Sequence, residues 1–300
     1  MRAPLAEEPN TLSRREFTAL SIAAGVTAAT AVTAATAATA ATGATQLVES
    51  DVQVTAPAGL CDAALIHPQQ GTWPGVILFT DVFGLRPTMR GMARRLAAGG
   101  FAVLVPNPFY RTSKPPGLSL DIDFNNPADR AKIDALRAPL TGDAVMQDAA
   151  AYVKFLDSQA IVDRRAKIGV FGYCMGGPMT LQAAAAVPDR VGAGASFHGG
   201  GLVTDKPDSA HRLVSKVRAQ FYVGIAMNDD QRQPDAKSTL NHAFNAANLQ
   251  AKIEVYDGCL HGWCVKDMPQ SPGKPPVYNE AQAERAWGEL VSVFKRVHVG

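Results

Sequence analysis

The sequence predicts the α/β class, a mostly parallel central sheet flanked by helices, on three observations. First, short apolar runs of strand length alternate with helical patterns: Gly75 to Thr80, Phe101 to Val105, Lys167 to Phe171, Val191 to Phe197, Ala219 to Met227 and Lys252 to Tyr256. Gly75 to Thr80 and Phe101 to Val105 read as continuous apolar runs, the form expected of strands covered on both faces. Second, the residue types that carry chemistry follow the runs, at the strand ends where such sheets bind ligands. Third, Gly172-Tyr173-Cys174-Met175-Gly176-Gly177 reads as strand, sharp turn and helix, with a thiol at the turn.

In chain order, Ser13-Arg14-Arg15-Glu16-Phe17 is followed by an Ala- and Thr-dominated stretch without charge until Glu49. A basic start, a mildly apolar middle and A-x-A sites such as Ala35-Thr36-Ala37 outline an export signal, and the paired arginines resemble a twin-arginine signal. Residues 1–45 are therefore expected to be a cleaved signal read by the twin-arginine export machinery. Residues 46–300 then form a single domain, periplasmic or secreted. Ala and Thr gain little from hydrocarbon, so no stable membrane span is expected in the mature form. Export places Cys61, Cys174, Cys259 and Cys264 where disulfides are permitted. A nucleophilic Cys174 must stay out of any bridge, which leaves an odd set of three.

Cys61 to His67 is the first expected strand. Gly75 to Thr80 follows, then the loop Asp81 to Pro87 and a helix from about Thr88 to Gly99-Gly100. Residues 109–140 read as irregular, broken by Pro115, Pro116, Pro127 and Pro139, and suited to gripping a substrate. Val145, Ala149, Tyr152, Val153 and Leu156 then form one apolar helical face leading to the Cys174 strand. About seven strands and five or six helices result. With 47% hydrophobic and 19% charged residues, the 300-residue chain can bury the core this requires. Its 29 basic and 27 acidic side chains give a net charge of +2 without a basic block, so nucleic acid is not expected as a partner.

Three groups follow strand ends in order: Cys174, then Asp229 or Asp230, then His261. Nucleophile, acid, histidine is the order of α/β-hydrolases. His261 can take the thiol proton and return it to a leaving group, while an Asp fixes its tautomer and stabilises the imidazolium. Glycines two residues either side of Cys174 permit the bend, and the helix that follows favours thiolate. The backbone N–H groups of Met175 and of the Asp81-Val82 loop, at Val82, are expected to bind the developing oxyanion. His198 also follows a strand and competes as base, but it precedes the acid in the chain. His67, His211, His242 and His298 read as ordinary polar residues. The helix-opening Pro234 favours Asp230 over Asp229 as the acid.

Thr80-Asp81-Val82-Phe83-Gly84, the Cys-centred elbow, Asn228-Asp229-Asp230 with Pro234, and Gly258-Cys259-Leu260-His261-Gly262 together resemble the dienelactone hydrolase family. The resemblance covers essentially all of the chain after the signal. It implies the α/β-hydrolase fold, opening of a lactone or cleavage of a carboxylic ester through a Cys-His-Asp triad and thioester, and no metal or organic cofactor. It makes Cys174 the nucleophile, His261 the base and Asp230 the acid, and it places the carboxylate that helps to activate the thiol at Asp81, where well-known members have Glu. The arginine those members carry four residues after the histidine is Val265 here, with Lys266 beside it. Arg130 lies in the segment of a second such arginine, and Arg86 and Arg111 are further candidate anion contacts. The expected partner is a small-molecule lactone or ester of unspecified identity. Competing readings are a general esterase, a non-catalytic exported ligand-binding protein, and a metal site at Cys259-x-His261-x-x-Cys264, whose ligands would share one short loop.

Overall fold

The path of the chain through its sheet decides where a site can form. A computed structural model describes residues 45–270 and 275–298, so the expected export signal lies outside the described residues, apart from residue 45. The strands are β1 (Leu47–Ala56), β2 (Gly59–Pro68), β3 (Gly75–Phe79), β4 (Ala102–Pro106), β5 (Ile168–Tyr173), β6 (Val191–Phe197), β7 (Gln220–Ala226) and β8 (Ala251–Tyr256). They form one sheet in the order β1-β2-β4-β3-β5-β6-β7-β8. β2 is antiparallel to β1 and β4, and the other pairings are parallel. The chain lays β4 on one side of β3 and crosses to lay β5 on the other. The carboxyl ends of β3 and β5 therefore flank the switch point at which open α/β sheets bind ligands.

Alternation along each strand feeds two cores. On one face, Val76, Leu78 and Phe171 pack with Met89 and Leu96 of α1 (Pro87–Ala98) and with Leu290 and Phe294 of α7 (Glu280–His298). On the other, Ile77 and Val170 pack with Leu156 of α3 (Gly142–Ser158), Leu181 of α4 (Gly176–Ala186) and Leu240 of α6 (Ala236–Ala246). No helix among the described residues is long and apolar enough to cross a membrane.

Three elements depart from the sequence expectation. β1 is an eighth strand; at the sheet edge it buries only Val54 and Ala56, so it lacks a continuous apolar run. α2 (Pro127–Arg137) occupies the segment read as irregular. Pro127 starts this helix, because the first helical residue has no intrahelical use for its N–H, and Asn126 caps it by accepting from the Ala128 N–H at 2.9 Å. α5 (Met227–Arg232) replaces the loop expected at the two aspartates.

Candidate active site

The turn between β5 and α4 holds Cys174 at φ 52°, a left-handed conformation that side chains seldom adopt. Close packing enforces it. A Cβ on Gly172 would lie 2.3 Å from the Gly176 carbonyl oxygen, and one on Gly176 would lie 2.3 Å from that of Phe79. Only glycine at both positions lets the helix start come this near the strands. The Cys174 N–H donates to the Phe197 carbonyl at 3.1 Å, which ties the turn to β6. The thiol is half-buried and opens into a cleft of about 840 Å³, whose walls include Val82, Met175 and Gly200.

His261 follows β8, and its backbone N–H donates to Asn228 Oδ1 at 2.8 Å. Its Nδ1 lies 2.6 Å from Asp229 Oδ2. A carboxylate accepts, so Nδ1 carries the hydrogen and Nε2 is left for the thiol. The Cys174 side chain lies near enough to act on the charge of the ring. Burial disfavours the imidazolium, but Asp229 and Cys174 outweigh it and raise the pKa from 6.5 to about 10.

The acid beside His261 is thus Asp229, a correction to the expected Asp230. Both lie in α5, where adjacent side chains diverge by about 100°, so one at most can face the histidine. Asp230 turns instead to Lys237 Nζ, at 2.8 and 2.9 Å. Pro234 misleads because it lies beyond α5, in the joint to α6.

Asp81 also departs from its expected role beside the thiol. Its two oxygens accept from Arg86 Nη1 and Nη2 at 2.6 and 2.9 Å, and Oδ1 accepts from the Phe83 N–H at 3.0 Å. Arg86 Nε and Nη2 donate in turn to Asp267, each at 2.8 Å. Burial opposes the guanidinium charge, and the two carboxylates outweigh it and raise its pKa. The side chains of Arg86 and Asp81 are 3% and 0% exposed. Asp81 therefore braces the loop that carries Val82 to the cleft wall.

Among the expected anion contacts, Arg130 alone lines the cleft. Arg86 is committed to its two carboxylates. Arg111 holds Asp148 at 2.6 and 2.9 Å. Lys266 lies over the Tyr278 ring and lines a different cavity. Arg137 and Arg232 join Arg130 in the cleft and were not expected there. Arg130, Asp134 and Arg137 recur at the spacing of one helical face, a signal that becomes readable once α2 is recognised. Arg232 sits three residues after Asp229, and its Nη1 lies 3.4 Å from Asp229 Oδ1.

His198 is not placed as the base: it is fully buried and packs against the His261 ring. All four cysteines are free thiols, with Cys61, Cys259 and Cys264 buried. Among the described residues no group of three or more His, Cys, Asp or Glu is arranged to hold a metal ion.

The sequence pattern of the Dienelactone hydrolase family matches residues 61–298. A carboxymethylenebutenolidase from a Pseudomonas species is 28% identical over 199 residues, covering 66% of this chain and 78% of its own. Among solved structures, a dienelactone hydrolase-like promiscuous phosphotriesterase from metagenomic libraries matches with a TM-score of 0.67 at 20% identity, over 84% of this chain and 98% of its own. The dienelactone hydrolase of Anabaena variabilis matches with a TM-score of 0.58 at 18% identity, over 84% of this chain and 99% of its own. The structural likenesses establish the α/β-hydrolase fold. With the family match running from β2 through the elbow and the His261 loop, the chain belongs to the dienelactone hydrolase family and is a carboxymethylenebutenolidase-like hydrolase.

Proposed function

We propose that the protein opens a lactone or cleaves a carboxylic ester through a thioester on Cys174, with His261 and Asp229 completing the triad. What supports this is the strained turn that presents the thiol to a histidine whose far nitrogen is 2.6 Å from a carboxylate. With the proton on His261 Nε2, the Cys174 sulfur attacks the carbonyl carbon. The C=O electron pair moves onto oxygen, which takes hydrogen bonds from the Met175 and Val82 N–H groups. Collapse of this intermediate breaks the bond to the leaving oxygen, which receives the His261 proton. His261, now neutral, takes a proton from water as its oxygen attacks the thioester. The sulfur leaves, the acid is released and one water has been consumed. Arg130, Arg137 and Arg232 favour a substrate carrying an anionic group.

The test is turnover of a chromogenic ester and of a dienelactone by the wild type, by iodoacetamide-treated protein, and by Cys174→Ser and His261→Ala. Loss of turnover in all three treatments is expected. Turnover that survives alkylation overturns the thiol mechanism, and a wild type that binds but never turns over supports a ligand-binding protein. Residues 1–45 are proposed as a twin-arginine export signal, so Arg14→Lys with Arg15→Lys should hold the protein in the cytoplasm. Undiminished export of that double variant would rule out the twin-arginine route.

A further inference from the structure

His198 has no place in the reaction above, yet it touches the residue on which the reaction turns. It follows β6 at φ 41°, and its backbone N–H donates to the Gly224 carbonyl of β7 at 2.8 Å. Its side chain is fully buried, and neither ring nitrogen has a hydrogen-bond partner. What the ring does have is aromatic contact. It meets His261 edge to face at 4.7 Å between centroids and 65°, Trp263 at 5.4 Å and 70°, and Tyr173 at 5.8 Å and 38°. It therefore fills the space between the residue before the nucleophile and the residue two beyond the base.

Such a side chain is costly to fold. Burying polar atoms without partners and holding a side chain in the left-handed region both oppose the native state. Local choices that weaken folding tend to sit where function requires them. We propose that His198 is a positioning residue for His261, a neutral ring that fixes the plane of the imidazole. This rests on His261 acting as proposed above. A fixed plane keeps the Nδ1–H aimed at Asp229, the contact that holds the imidazolium against the cost of burial. Burial and the charge on His261 both push the His198 pKa down, which keeps His198 uncharged beside its charged neighbour. The charged and titratable groups around His261 are Asp229, Cys174 and His198, with Arg232 acting through Asp229. Those around His198 are His261 and Tyr173.

The test separates the ring from the backbone it sits on. Asn tolerates a left-handed backbone but brings no ring, whereas Phe brings the ring and not the nitrogens. His198→Asn is expected to lower kcat about tenfold, the scale of one aromatic pair, with KM unchanged. The alkaline limb of its kcat/KM profile, and the pH at which the His261 Nδ1–H proton signal titrates by NMR, should both move down by about half a unit or more. His198→Phe should stay within about threefold of wild type with the titration unmoved. If His198→Asn retains kcat and titration, only the backbone matters and the proposal is overturned. Equal losses in both variants overturn it too, by assigning the effect to the ring nitrogens. The NMR titration needs no turnover, so it judges His198 separately from the hydrolytic reading.

Discussion

Two charged constellations sit at the carboxyl edge of the same sheet, and they are built to opposite ends. Asp81, Arg86 and Asp267 form a closed set in which one guanidinium serves two carboxylates. Asp229, His261 and Cys174 form an open one, with a half-buried sulfur at its end and a strained backbone beneath it. In the closed set both carboxylates are tied to the one guanidinium, so its effect is to fix the shape of a loop. In the open set, on the proposed reading, the proton can change owner, and its effect would be chemistry. Proximity of acids and bases to strand ends does not separate the two; the way each chain of contacts terminates does.

The largest test of this contrast exchanges single atoms. Asp229→Asn should lower kcat by about 10³- to 10⁴-fold through the wrong histidine tautomer, while Asp230→Asn stays within a few-fold. A larger loss from Asp230→Asn would return the acid to that residue. Next, Arg86→Met leaves Asp81 buried without its partner and should cost about 3–5 kcal/mol of stability, read from the denaturant midpoint. Full stability in that variant would show that the closed set does not hold the fold.

The third test is pH. The folded His261 pKa, about 10, lies above its ordinary 6.5, so the stability it contributes is complete below 6.5 and is lost as pH rises through about 10. The melting temperature of wild type relative to His261→Gln should fall across that window. The kcat/KM should hold until near pH 10 and then drop as His261 of the free enzyme loses its proton. A constant difference in melting temperature would mean that the histidine is not charged in the fold. The smallest effect is expected from Arg130→Ala or Arg137→Ala, each raising KM about threefold for a carboxylate-bearing ester and leaving a neutral ester unchanged. Equal effects on both esters would remove the anion from the substrate description.

The sequence shows the interior of the sheet well because β3 and β5 are buried on both faces and so carry unbroken apolar runs. It hides β1, whose edge position leaves half of its side chains exposed. Cys174 and His261 are legible because loop order fixes them at one edge. The choice of Asp229 is not, since it depends on the angular phase of a six-residue helix that has no apolar pattern to announce it. The commitment of Arg86 to Asp267 joins residues 181 apart in the chain, and no local spacing encodes it. Pro127 reads as a breaker until its position at a helix start is known.

α2 has a consequence for how this enzyme can change. Ile133 is its one buried residue, although the helix brings Arg130 and Arg137 to the cleft. Most of that wall can therefore be rewritten, by evolution or by a library over residues 127–137, with little penalty to folding. At positions 172 and 176 the backbone leaves no room for any side chain, so the turn proposed as the reacting centre stays constant while the residues of α2 are free to drift.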